Sequence, residues 1–309
     1  MHGATSDTER RVAAAATRWY AANARDLLWR RKATTPWGIL VSEVMLQQTP
    51  VARVLPAWTA WLARWPTPVA LAADKQAEAI RAWGRLGYPR RALRLHECAV
   101  AIVERHAGEV PGNLDALLAL PGVGGYTARA VAAFAFGQRV PVVDTNVRRL
   151  VARAVHGRPD GGAATGAADL AAVEALLPAD PEAAARASVA FMELGALVCT
   201  ARVARCPECP LWSTCAWRLA GAPAAGTPTG RAQRYAGTDR QVRGLLLAVL
   251  REATGPVPAA RLDLVWPQRV QRARALAGLV ADGLVCAVAG DRYALPGEAE
   301  PPDAEGPGA

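Results

Sequence analysis

The chain has 309 residues, 52% of them hydrophobic, and a formal net charge of +9. No uninterrupted apolar run approaches the roughly 20 residues of a membrane span, and the polar opening MHGATSDTERR lacks the apolar stretch of a secretory signal. A cytoplasmic protein of two or three domains is therefore expected, one in which six cysteines are not a disulfide framework and a basic surplus suits a polyanionic partner.

In chain order, residues 8–219 read as helices joined by short turns. Apolar positions fall at helical spacing over 10–23 and 41–65. Further helical stretches run over 114–119 and 127–135. Glycine and proline punctuate at Pro36, Gly38, Pro66, Pro68, Pro111 and Pro121. Residues 220–237 are rich in Gly, Pro, Ala and Thr and read as a linker. Beyond it, 238–296 reads as a small separate domain: helices over 240–252, 259–265 and 268–282, then a hairpin over 284–295 around Gly290-Asp291. Three helices followed by a hairpin is the order of a winged helix. Its Arg269, Arg272, Arg274 and Arg292 suit phosphate contacts, although a packing domain with arginines facing water fits equally well. Residues 297–309 are acidic and Pro-rich and read as a disordered tail.

Four cysteines carry the first chemical signal. Cys199, Cys206, Cys209 and Cys215 lie within seventeen residues, with intervening gaps of six, two and five. Four thiolates can hold a tetrahedral zinc ion or a cubane iron–sulfur cluster. Structural zinc more often uses two Cys-x-x-Cys pairs, and only one is present. Cys98 and Cys286 lack near partners and read as small core hydrophobes.

A second signal is Leu120-Pro121-Gly122-Val123-Gly124-Gly125-Tyr126, set between two helical stretches. Gly122 and Gly124 would let the backbone approach a ligand and turn a helix N-terminus toward an anion, unless this is only a tight interhelical turn. Asp144, at the head of a helical run that includes Asn146, is on its own terms an N-cap. Glu43 sits among Val41, Val44, Met45 and Leu46. A buried carboxyl there would keep its proton near neutrality, as a general acid must.

Together these motifs resemble the endonuclease III superfamily of helix-hairpin-helix DNA glycosylases, and within it the adenine-glycosylase branch, often called MutY. The resemblance spans about residues 8–219. It implies an all-α, two-lobed core, with 8–30 and 137–219 forming an iron–sulfur lobe and 31–136 a helical lobe carrying the hairpin, followed by the small winged-helix-like α+β domain. It implies one 4Fe–4S cluster on Cys199, Cys206, Cys209 and Cys215, mainly structural. Glu43 falls at the position that protonates the adenine leaving group, and Asp144 at the one that stabilises the sugar cation, oriented by Asn146. Tyr126 stands where bifunctional members carry a Schiff-base lysine, implying a monofunctional enzyme. DNA contacts fall at Trp29, Arg30, Gln47, Gln48, Thr49, Leu86, Gly122, Gly124 and Tyr88, the last being the residue that wedges into the stack beside the opposite base. The implied partner of this monomer is duplex DNA with adenine opposite 8-oxoguanine or guanine. Two departures stand out: Pro89 replaces a second Tyr after Tyr88, and 238–296 is too short for the branch's MutT-like domain. Two alternatives are a glycosylase/lyase acting on oxidised or mismatched pyrimidines and a non-catalytic DNA-binding regulator with a redox cluster.

Overall fold

A computed structural model describes residues 7–162, 166–224 and 235–298. Twelve α-helices precede the C-terminal segment: α1 (Asp7–Asn23), α2 (Pro36–Leu46), α3 (Val51–Arg64), α4 (Pro68–Ala72), α5 (Gln76–Trp83), α6 (Arg90–His106), α7 (Leu114–Leu118), α8 (Gly125–Phe136), α9 (Thr145–Ala154), α10 (Ala167–Leu176), α11 (Pro181–Leu197) and α12 (Ala216–Leu219). The continuous helical pattern read over 41–65 is broken between α2 and α3. Gln48 adopts a left-handed φ of 54°, and Pro50 caps α3. Proline cannot donate to the preceding turn, so the periodicity persists while the helix stops.

The chain divides into two compact units. One comprises Met1–Glu43, Pro111–Ala119 and Val123–Thr229; the other comprises Val44–Val110, Leu120–Gly122 and Gly230–Ala309. This division differs from the lobes drawn on sequence, because α8 groups with the cysteine segment and the C-terminal segment groups with α3 to α6. In the first unit α1, α9, α10 and α11 enclose a core centred on Phe191, Leu194, Leu150, Val147 and Leu176. Side-chain caps set the helix starts: Asp144 accepts from Val147 N at 2.7 Å and Asp180 from Ala183 N at 2.8 Å.

In the second unit the C-terminal segment holds α13 (Asp239–Glu252), β1 (Val257–Pro258), α14 (Ala259–Asp263), α15 (Arg269–Ala281), β2 (Cys286–Val288) and β3 (Arg292–Ala294). The strands form one antiparallel sheet in the order β1-β3-β2. Gly290 (φ 74°) and Asp291 (φ 50°) make the hairpin turn. Strand β1, too short to alternate visibly, is an addition to the hairpin expected from sequence. This domain shares its core with the helices before it: Ala77, Ile80 and Leu93 join Val242, Leu246, Leu250, Leu279 and Leu284 in one cluster. Arg81 donates to Arg251 O and Ala253 O and pairs with Glu298, while Arg251 donates to Ile80 O. Of the arginines expected to meet phosphate, Arg272 is paired with Asp263 and Arg274 with Asp239. Parts of the linker (225–234) and of the tail (299–309) lie outside the described residues. Among those described, no helix is long and apolar enough to cross a membrane.

Candidate active site

Helix α2 is apolar almost throughout, so its one carboxylate enters the interior. Glu43 is 5% exposed, in a row of fully buried Leu40, Val41 and Ser42. Burial raises its carboxyl to about 7, opposed by a hydrogen bond from the Tyr126 hydroxyl, and the charges of Asp144 (raising) and Arg30 (lowering) act on it as well. Tyr126 is delivered by the second residue of α8, just past the N-cap Gly124. Burial and the two carboxylates push its own phenol well above the usual value, so it stays a hydrogen-bond donor.

Asp144 ends the extended run before α9. One carboxylate oxygen caps that helix through Val147 N, and the other accepts from Asn146 Nδ2 at 2.8 Å. Arg149, one turn on, donates to Asn146 Oδ1 (2.8 Å), to Gly195 O (2.7 Å) and to Cys199 O (2.6 Å). A continuous set of hydrogen bonds thus runs from Asp144 to the first cysteine. The packing that carries it needs Gly195, where a Cβ would lie 2.7 Å from Asn146 O. Glu43, Tyr126, Asp144 and Asn146, distant in sequence, are therefore brought together in one unit.

A three-residue turn of 3-10 helix, Leu28–Arg30, supplies buried Trp29 and half-buried Arg30. Arg30 Nη2 donates to Glu193 Oε2 at 2.9 Å, while its Nη1 is buried with no hydrogen-bond partner. Glu193 is fully buried. It also accepts from Arg25 N (3.0 Å), Nε and Nη2 (both 2.7 Å), and these bonds hold it down to about 2 despite its burial. Sequence reasoning missed Glu193 and Arg25. Glu193 does sit between Phe191-Met192 and Leu194, a setting like that of Glu43, but only its distant arginine partners distinguish it from a solvated helix residue, and nothing local marks Arg25.

The other expected DNA contacts form a second, separate cluster. Arg91 gathers them by donating to Val44 O and Met45 O in the last turn of α2, to Gln47 O just beyond it, to Thr49 Oγ1 and to Gly87 O. Thr49 in turn donates to Leu86 O, and Leu86 is buried while Gln48 and Tyr88 are exposed. In the hairpin, Gly122 has φ 75° and a Cβ there would meet Arg94 Cβ at 2.7 Å, so glycine is required. Around Gly124 a Cβ would meet nothing within 4 Å, as befits an open backbone edge.

The four cysteines line one cavity with Leu150, Leu211 and Trp217. Arg153 reaches Cys199 Sγ at 3.5 Å, and Cys215 Sγ lies 3.6 Å from Arg153 O. Among the described residues no three Cys, His, Asp or Glu side chains converge as a single ion needs. Four thiols around a shared cavity, with cations beside them, fit a larger anionic group.

Comparison with known proteins decides the family. Residues 41–162 match the HhH-GPD superfamily of base excision DNA repair proteins. An adenine DNA glycosylase of Mycobacterium tuberculosis is 60% identical over 91% of this chain and 92% of its own length. The chain belongs to the adenine DNA glycosylases. A second member of that family, from Mycolicibacterium smegmatis, is also 60% identical, over 91% of this chain and 95% of its own. Among solved structures, a thermostable thymine-DNA glycosylase superposes with a TM-score of 0.62 at 25% identity, covering 69% of this chain and 97% of its own. The helix-hairpin-helix core is all-α, and in this chain a small sheet-bearing C-terminal domain follows it.

Proposed function

We propose that the protein hydrolyses the N-glycosidic bond of adenine placed opposite 8-oxoguanine or guanine in duplex DNA, and that it does not cut the strand. The observation that carries this reading is Glu43: a buried carboxyl raised to about 7, bonded to Tyr126 and within electrostatic reach of Asp144. A carboxyl so placed is protonated over much of the neutral range and can give its proton to a leaving base. Departure of the base puts positive charge on the sugar, which the Asp144 carboxylate, fixed by Val147 N and Asn146, stabilises. Glu43, then ionised, takes a proton from the attacking water. Trp29 and Arg30 flank the place of the base, and the unpaired Nη1 of Arg30 is a donor suited to an acceptor on it. Tyr126 has no amine with which to form a Schiff base, so chain cleavage does not follow.

Cys199, Cys206, Cys209 and Cys215 would hold a 4Fe–4S cluster that cross-links the loop rather than entering the reaction. Gly122 and Gly124 offer backbone to a phosphate, and Gln47, Gln48, Thr49, Leu86 and Tyr88 face the strand opposite the adenine. The deciding experiment incubates the protein with an A:8-oxoguanine duplex. Breaks that form only after hot alkali support the reading. Breaks without alkali would show a lyase, and none under either condition would show a binding protein.

A further inference from the structure

Tyr88 lies between α5 and α6 with a φ of 47°, a left-handed conformation that a residue bearing a Cβ adopts only when its surroundings hold it there. The residue is 46% exposed. Two guanidinium groups lie over that ring, Arg91 at 5.5 Å and Arg240 at 5.2 Å. Arg91 is spent on the carbonyls described above. Arg240 is a different case. It comes from the first turn of α13, in the C-terminal domain, and its Nη2 would lie 4.0 Å from a Cβ built on Gly87. It is exposed and also stands 5.9 Å from the Tyr235 ring, yet it makes no hydrogen bond or ion pair among the described residues.

Its neighbours behave otherwise. Arg243 is paired with Asp282, Arg251 donates to Ile80 O, and Arg272 and Arg274 are paired with aspartates. The domain's shared core and the Arg81–Glu298 pair fix α13 against α5, so Arg240 is carried to Tyr88 by packing. One cation with open donors therefore rests on the one side chain assigned to enter the base stack.

We propose that Arg240 is a positioning residue for Tyr88, through which the C-terminal domain takes part in discriminating the base opposite adenine. The proposal rests on the functional reading above. A cation over an exposed aromatic ring, as here before DNA arrives, is worth about 2- to 5-fold in an equilibrium. Holding the ring in one rotamer before DNA arrives removes an ordering cost from the complex whose stack it fits best.

The test measures dissociation constants for duplexes carrying a non-cleavable adenine analogue opposite 8-oxoguanine or guanine, with single-turnover rates on the cleavable pair. Arg240→Ala, with an unfolding midpoint matching wild type, should lower the 8-oxoguanine-over-guanine preference about 2- to 5-fold. Arg240→Lys should restore part of it. Arg261→Ala, which removes an equal charge elsewhere in the domain, should leave the preference unchanged. In a Tyr88→Leu background Arg240→Ala should have no further effect. Equal weakening of both duplexes by Arg240→Ala, or the same loss in the Tyr88→Leu background, would overturn the proposal while leaving the enzyme assignment intact. A wild-type protein that releases adenine from neither duplex would overturn the assignment, and the proposal with it.

Discussion

The hydroxyl of Tyr126 bonds to the carboxyl of Glu43, and this contact works against the burial that lifts Glu43 to about 7. Tyr126 therefore does more than stand where a lysine would. It sets how acidic the proton donor is.

Removing that bond has a definite sign. The hydrogen bond favours the ionised carboxylate, so Tyr126→Phe should raise the Glu43 pKa above its present value. In the wild type the single-turnover rate should be level below about pH 6 and fall tenfold per pH unit above about 7, as the protonated acid is lost. In Tyr126→Phe the same falling limb should move to higher pH. A limb that stays in place or moves to lower pH would remove Tyr126 from this role.

Glu43→Gln should keep DNA affinity and lose adenine release by roughly 10²- to 10⁴-fold, since an amide cannot give a proton. It should also stabilise the protein. A carboxyl whose folded pKa is raised from 4.5 to about 7 costs no stability below the lower value, and costs progressively more as pH climbs between the two. Above 7 the buried charge costs at most roughly 3 kcal/mol. Thermal melts should show the variant above wild type at pH 8 and level with it at pH 4.

Metal content gives an independent check. Protein purified without oxygen should be brown, with broad visible absorption and about four irons per chain. Cys206→Ala should be colourless and bind DNA more weakly. A colourless wild type holding one zinc would reverse the assignment.

Truncation after Gly230 is expected to do more than trim DNA affinity. Ile80 and Leu93 would lose their apolar cover, at roughly 3–5 kcal/mol, and Arg81 its carbonyl partners. Chemical denaturation should show the remaining helices unfolding early. Unchanged stability would mean that the shared core contributes nothing.

Much of the site was legible because its chemistry sits in short segments. Glu43 announced itself by its apolar neighbours, and the cysteines by their gaps. Asp144 did double duty as a helix cap and could be placed by either role. Glu193 escaped because a single carboxylate in an alanine-rich helix reads as a solvated face until Arg25 and Arg30 are seen to converge on it from 168 and 163 positions away. The C-terminal helices and hairpin followed from periodicity. That Arg272 and Arg274 are paired, and Arg240 is not, depends on Asp263 and Asp239 lying across the domain, which no local pattern encodes.

The core that joins α5 and α6 to the C-terminal domain also orders events during synthesis. The carbonyl partner of Arg81 in that domain lies 170 positions further along the chain. At ~5–20 residues per second, Ile80 and Leu93 emerge from the ribosome on the order of ten to thirty seconds before the residues that cover them. The first unit, whose segments are complete by Thr229, can close without the far end of the chain. The second unit must wait for it. The nascent protein should therefore be most prone to aggregation, and most dependent on chaperones, in the interval between those two events.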